Sequence, residues 1–166
     1  MTGPILFCYD GSTGSRSALQ AAADLIIRPS DGYVLTVWQP VYLQLAAAGA
    51  FVAGIPDEAE IDEQESAAAK AAADEGARLG KEHGYDLVPL TEQAQDGIAH
   101  TIMSVAERVQ ATLIVCGQRG RGPLRAALLG SVSHALSSHA HVPVLIAPEP
   151  KRTSAVLEVS ASSQTP

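Results

Sequence analysis

The chain predicts an open, doubly wound α/β domain: a five-stranded parallel sheet with helices on both faces. Short β-rich apolar runs alternate with segments of helical length and period, in the order β-α-β-α-β-α-β-α-β. Strands separated by helix-length connections run parallel through right-handed crossovers. The run "ATLIVC" (111–116) is apolar without alternation, as expected of a strand buried on both sides. The expected strand order is 3-2-1-4-5.

The elements follow in turn. "PILFCY" (4–9) is the first strand and stops at the turn signal Asp10-Gly11. From Ser15 the period becomes helical, with Leu19, Ala22, Ala23 and Ile26 on one face, until Pro29 and Gly32 end it. "GYVLTVW" (32–38) is the second strand. Residues 39–56 are apolar and rich in Ala and Gly with no clean period, and are expected to form a long loop or lid. Asp57, Glu58 and Glu60 then open a helix that runs to residue 83, with Gly84 as its stop. Its Ala-rich stretch at 66–77 reads as a surface for packing on the sheet. "YDLVPLTEQ" (85–93) is the third strand. The next helix presents Ile98, Ile102, Val105 and Val109, and the fourth strand is "ATLIVC". A helix from Ser131 to about His139 precedes the last strand, "VPVLIA" (142–147).

With 166 residues there is room for one compact domain, expected over 1–149. The Ser- and Thr-rich tail, 150–166, is expected to be disordered. Apolar residues make up 46% but aromatic ones only 4%, so the core is built from Ala, Val, Leu and Ile. The formal charge of −7 disfavours a nucleic-acid partner, which usually meets a basic surface. No secretory leader is visible at "MTGPILFCYDGS" and no apolar stretch is long enough to cross a bilayer. The expectation is a soluble, cytoplasmic protein without a membrane partner. Cys8 and Cys116 are too few for a disulfide scaffold and sit in adjacent core strands.

In a 3-2-1-4-5 sheet the ligand crevice lies beyond the C-terminal ends of strands 1 and 4. Asp10-Gly11 follows strand 1 and "CGQRGRGPLRAALLGS" (116–131) includes the end of strand 4, so the two face each other. The stretch is not a P-loop, because Pro123 stands where the Lys of G-x-x-x-x-G-K-[ST] belongs. It is not a dinucleotide fingerprint either: Gly120-Arg121-Gly122 begins one, but Arg125 ends it. The remaining pattern is Gly117-x-x-Gly120, nine residues, then Gly130-Ser131. Glycines let main-chain N–H groups approach a ligand, and Gly130-Ser131 opens a helix whose N-terminus favours an anion. The hydroxyls of Ser131 and Ser133 add donors. Such a pair of clusters can grip a polyphosphate from two sides.

"ILFCYDGS", "IVCGQRGRGPLRAALLGSVSHAL" and "HAHVPVLIAP" resemble the universal stress protein family over roughly residues 3–148. Gly117, Gly120, Gly130 and Ser131 match the G-2x-G-9x-G-[S/T] pattern of its nucleotide-binding members. The resemblance implies a Rossmann-like, adenine nucleotide alpha hydrolase-like fold that binds ATP and forms a homodimer through the last strand. By position, Asp10, with Gly11 and Ser12, would lie near the ribose and phosphates or their Mg²⁺. Val37 would offer main-chain contacts to adenine. Gly117 and Gly120 would approach the ribose and phosphates, with Arg119 a further phosphate candidate. Gly130, Ser131, Val132 and Ser133 would bind phosphate oxygens. Gln118 and His141 depart from common family usage, and the 39–56 segment looks variable.

Each candidate also has a plainer role. Asp10 can cap a helix or start a turn, and the glycines can serve turns alone. Arg119, Arg121 and Arg125 can form a solvated basic face. His134, His139 and His141 suit helix capping and surface polarity better than a metal site. The sequence carries no obvious general base or water-positioning residue beside the phosphate cradle. A nucleotide-dependent stress-response sensor or regulator is therefore expected rather than a dedicated enzyme. Three alternatives stay open: slow ATP hydrolysis or self-phosphorylation on Ser131 or Ser133, an ATP-using enzyme of the wider fold group, and a cAMP-binding or nucleotide-free interaction protein.

Overall fold

The computed structural model of the chain describes residues 3–25, 31–47, 49, 57–121 and 129–149. The elements run β1 (Ile5–Cys8), α1 (Thr13–Leu25), β2 (Gly32–Trp38), α2 (Val41–Ala47) and α3 (Glu58–Glu82). They continue with β3 (Leu87–Gln93), α4 (Ile98–Arg108), β4 (Leu113–Gly117), α5 (Ser131–His139) and β5 (Val144–Ala147). The five strands form one parallel sheet in the order β3-β2-β1-β4-β5, as the sequence predicts.

Right-handed crossovers decide which face each helix covers. The chain steps one way across the sheet from β1 to β3 and the other way from β3 through β4 to β5. Accordingly α1 and α3 share one face and α4 and α5 the other. Phe7, Val34 and Val115 meet Leu19 and Ala22 of α1 and Ala72 and Ala77 of α3. Leu6, Leu35 and Ile114 meet Ile102 and Val105 of α4 and Leu136 of α5. Leu6 and Phe7 are adjacent and both buried, on opposite faces, which is why β1 reads as an unbroken apolar run.

The Ala-rich stripe of α3 does pack on the sheet, with Ala69, Ala72, Ala73 and Ala77 buried. Gly84 stops that helix in a left-handed conformation (φ 83°), and Tyr85 N–H reaches back to the Gly80 carbonyl. Pro89 is tolerated in β3 because that strand is an edge. Gly32 N–H bonds the Asp86 carbonyl, so residues 86, 88 and 90 face β2 and the ring of Pro89 faces outward.

The 39–56 segment departs from expectation. Residues 41–47 form helix α2 rather than loop, started by Pro40, whose carbonyl accepts the N–H groups of Leu43 and Gln44. Asp62 of α3 holds it by accepting the Val41 N–H at 2.8 Å. A seven-residue helix is too short to show a period, and its tether lies 21 residues away in sequence. Helix α1 also begins earlier than expected, at Thr13, because Ser12 caps it: its Oγ accepts the Ser15 N–H at 3.2 Å. The 150–166 tail, Ile26, Gly122, Pro123, Arg125 and residues 50–56 lie outside the described residues. Among the described residues no helix is long and apolar enough to cross a membrane.

Candidate functional site

Strand β1 stops at Cys8 and turns away through Asp10 and Gly11, whose positive φ of 76° suits glycine. Strand β4 stops at Gly117 and leads into the glycine-rich stretch. The two turns meet. Asp10 Oδ1 accepts the Ser12 N–H at 2.9 Å, and its Oδ2 accepts the Arg121 N–H at 3.1 Å. One carboxylate thus joins both sides of the crevice that the strand order requires.

Three close approaches make that meeting possible. A Cβ at Gly120 would fall 2.5 Å from Asp10 Oδ2. At Gly14, in the first turn of α1, it would fall 2.1 Å from the Arg119 carbonyl oxygen, and at Gly117 it would strike the Gly14 main chain at 2.5 Å. Gly117 is therefore glycine because β4 packs on the start of α1, although its main chain also faces the crevice. Gly14 gave no signal of its own in "DGSTGS", where it reads as one more turn residue.

The far end of the excursion is pinned as well. Gly130 N–H donates to the Gln118 carbonyl at 2.9 Å, and the buried Ser133 Oγ donates to the same oxygen at 2.8 Å, with the Gly130 carbonyl 3.1 Å away. The Ser133 hydroxyl thus fastens α5 to the end of β4. Helix α5 has Gly130 as N-cap without a side-chain cap, so its first-turn N–H groups at Ser131 and Val132 are available to an anion.

Between these turns and α3 lies a pocket of about 440 Å³. Asp10, Val37, Gly117, Arg119, Gly120, Gly130, Ser131, Val132 and Ser133 all line it. Gly11 and Ser12 do not: one forms the turn and the other caps α1. Tyr9 and Thr36 at the strand ends, Gln44 of α2 and Glu65 of α3, none of them singled out by the sequence, complete the wall together with Trp38. Helical period alone could not say that the exposed residue Glu65 borders a cavity.

Val37 presents its main chain to this pocket. The Leu35 carbonyl accepts Tyr9 N–H at 2.9 Å, whereas the Trp38 carbonyl accepts Ala94 N–H at 2.8 Å. Main-chain groups alternate between neighbouring strands, so Val37 points the way Leu35 does, toward β1. That strand's pairing ends with Cys8 opposite Leu35, so Val37 faces the opening beyond it.

The charges around the turn are arranged to hold it. Arg16 donates to the Gly11 carbonyl at 2.6 Å and to Glu75 at 2.8 Å, and this bond holds the Glu75 carboxyl below its usual range. The Tyr9 hydroxyl is buried nearby, and burial, reinforced by the Glu75 charge, pushes its pKa up to about 12. Burial also raises the thiols of Cys8 and Cys116, the latter to about 11. His139 Nδ1 lies 3.0 Å from the Ala135 carbonyl of its own helix, and no group of three or more metal-ligating side chains occurs among the described residues.

The universal stress protein family model matches residues 1–148. The chain belongs to the universal stress protein family. Universal stress protein MJ0531 of Methanocaldococcus jannaschii is 40% identical over 62 residues, a segment covering 37% of this chain and 36% of that relative. Among solved structures, the universal stress protein UspA of Lactobacillus plantarum matches with a TM-score of 0.67 at 21% identity, over 88% of this chain and 97% of that one. An Arabidopsis thaliana family member with AMP bound matches with a TM-score of 0.59 at 15% identity, over 90% and 93% of the two chains. A universal stress protein in complex with cAMP gives 0.59 at 19% identity, over 90% and 98%. These likenesses establish the universal stress protein fold.

Proposed function

We propose that this universal stress protein binds an adenine nucleotide, ATP with Mg²⁺, in the crevice between β1 and β4, and acts as a cytoplasmic, nucleotide-dependent sensor or regulator. The observation that carries the reading is the Asp10 carboxylate bridging the two turns at the mouth of a pocket, with the α5 N-terminus on one side and the Val37 main chain on the other. The AMP and cAMP held by two structural relatives support an adenine nucleotide.

In this reading Val37 pairs with the adenine edge and Leu35, Ile98 and Ala69 contact its faces. Gly120, Gly130, Ser131 and Val132 offer N–H groups to phosphate, and Arg119 and Arg121 bring positive charge. Gly11 and Ser12 act by shaping the turn, and Ser133 by fastening α5. Asp10 suits Mg²⁺: each carboxylate oxygen accepts one N–H and keeps lone-pair capacity, and one carboxylate plus phosphate oxygens is a common Mg²⁺ arrangement. The ion would neutralise phosphate charge beside that carboxylate. Binding, rather than turnover, is the main activity, with slow hydrolysis or self-phosphorylation at Ser131 as a side reaction.

The homodimer forms through β5. Val144 and Ile146 turn their main-chain groups to its free edge, since Ile114 N–H bonds Pro143 and Gln118 N–H bonds Ala147 on the other side. Residues 1–149 act as one domain, with 150–166 as an appended tail.

Denaturing the purified protein and identifying released nucleotide by mass spectrometry, followed by calorimetry with ATP, AMP and cAMP, tests the reading. ATP with Mg²⁺ is expected to bind stoichiometrically. Exclusive retention of cAMP would replace the ATP assignment, and no binding of any adenine nucleotide would end it. A monomer at micromolar concentration in sedimentation would overturn the dimer.

A further inference from the structure

The chain's two cysteines stand side by side under the pocket. Phe7 of β1 pairs with Val115 of β4, so one step along both strands sets Cys8 opposite Cys116. Their neighbours on the same sheet face are shared: both pack with the cluster of Leu6, Ile114 and Ile102. Adjacent parallel strands lie about 4.8 Å apart. The thiols are free, and both border the cavity, Cys116 from a buried position and Cys8 from a half-buried one.

We propose that Cys8 and Cys116 form a vicinal dithiol site that captures a neutral trivalent arsenical, such as arsenous acid or an organoarsenic oxide, by bridging both sulfurs. Because the pair lies in the same pocket, capture excludes nucleotide. Only this competition rests on the function proposed above.

The chemistry suits the surroundings. In the capture of an arsenic oxide, two As–S bonds form while the As=O bond and two S–H bonds break. The oxygen leaves with both protons as water, and arsenic stays trivalent. The reaction begins from neutral thiols and a neutral ligand. Burial that disfavours thiolate is therefore no obstacle, whereas it hinders thiolate reactions such as peroxide oxidation. A zinc ion would want further ligands, and no group of three ligating side chains occurs among the described residues.

The test uses the full-length chain and phenylarsine oxide. One arsenic per chain is expected by intact mass, with both thiols lost to maleimide labelling. The adduct should survive excess mercaptoethanol and be released by dimercaptopropanol, the signature of a bridge. Cys8→Ser and Cys116→Ser should each give only an adduct that mercaptoethanol removes. Separate adducts on two sulfurs of the wild-type chain, or a wild-type adduct removed by mercaptoethanol, would overturn the site, and this reading needs no variant to fold. Nucleotide at about 100 times its Kd should slow capture about 100-fold. If nucleotide binds but capture keeps its speed, the competition is refuted. If the bridge forms and no nucleotide binds, the dithiol site stands and the function proposed above falls.

Discussion

The Asp10 carboxylate holds the main-chain N–H of Arg121 at 3.1 Å, joining residues 111 positions apart across the C-terminal edge of the sheet. This bond, with the one to Ser12, gives Asp10 a structural task in addition to any contact with ligand.

Asp10→Ala should weaken ATP binding about tenfold to a hundredfold, by loss of a charged acceptor for two N–H groups. Asp10→Asn should fall between wild type and Ala, since it keeps one acceptor oxygen and loses the charge. Calorimetry with and without Mg²⁺ checks both; equal affinity for all three proteins would contradict the bridge.

Gly14→Ala separates two opposing effects. Helix propensity alone favours Ala over Gly by about 1 kcal/mol. The contact at 2.1 Å with the Arg119 carbonyl opposes it, and overpacking of this kind costs about 1–3 kcal/mol. The variant should unfold at a lower temperature than wild type in the absence of nucleotide. A raised melting temperature would show that the α1–β4 contact is looser than described.

Stability should decline under alkaline conditions, and the buried thiols set part of the slope. Cys116 is raised from its ordinary 9.0 to about 11, so in this window the unfolded chain has released a proton that the folded chain retains. Its contribution is complete below pH 9 and is lost as pH rises to about 11, an effect of about 2–3 kcal/mol. Cys116→Ala should flatten the fall in urea midpoint between those limits. An unchanged slope would mean that the thiol is not buried in the folded protein.

Asp62→Ala removes the acceptor for the Val41 N–H and releases α2 from α3. Proteolysis within residues 41–47 should accelerate while the melting temperature falls by only a few degrees. Trp38, the sole tryptophan, lines the pocket, and its emission should shift on nucleotide addition in wild type. An identical proteolysis rate in the variant would rule out the tether.

The sheet was legible because strands buried on both faces must be apolar throughout, as "ILFC" and "LIVC" are. The crossovers then left one order to prefer. Part of the candidate site was legible as well: the glycines at 117, 120 and 130 mark where the end of β4, the turn after β1 and the start of α5 come together, and all three line the pocket. Helix α2 was not, since seven residues show no period and its support comes from Asp62. Gly14 and Gly117 were legible as glycines but not as partners, because their contact exists only once α1 lies against β4. Gly11 and Ser12 fell beside the pocket, one making the turn and the other capping a helix.

The bond from Gly130 N–H to the Gln118 carbonyl separates the ends of the glycine-rich excursion from its interior. Its base is fastened by the residue that follows β4 and the residue that precedes α5, so the two ends are held in register by the chain itself. A pocket wall set in place this way loses less conformational freedom when a ligand enters.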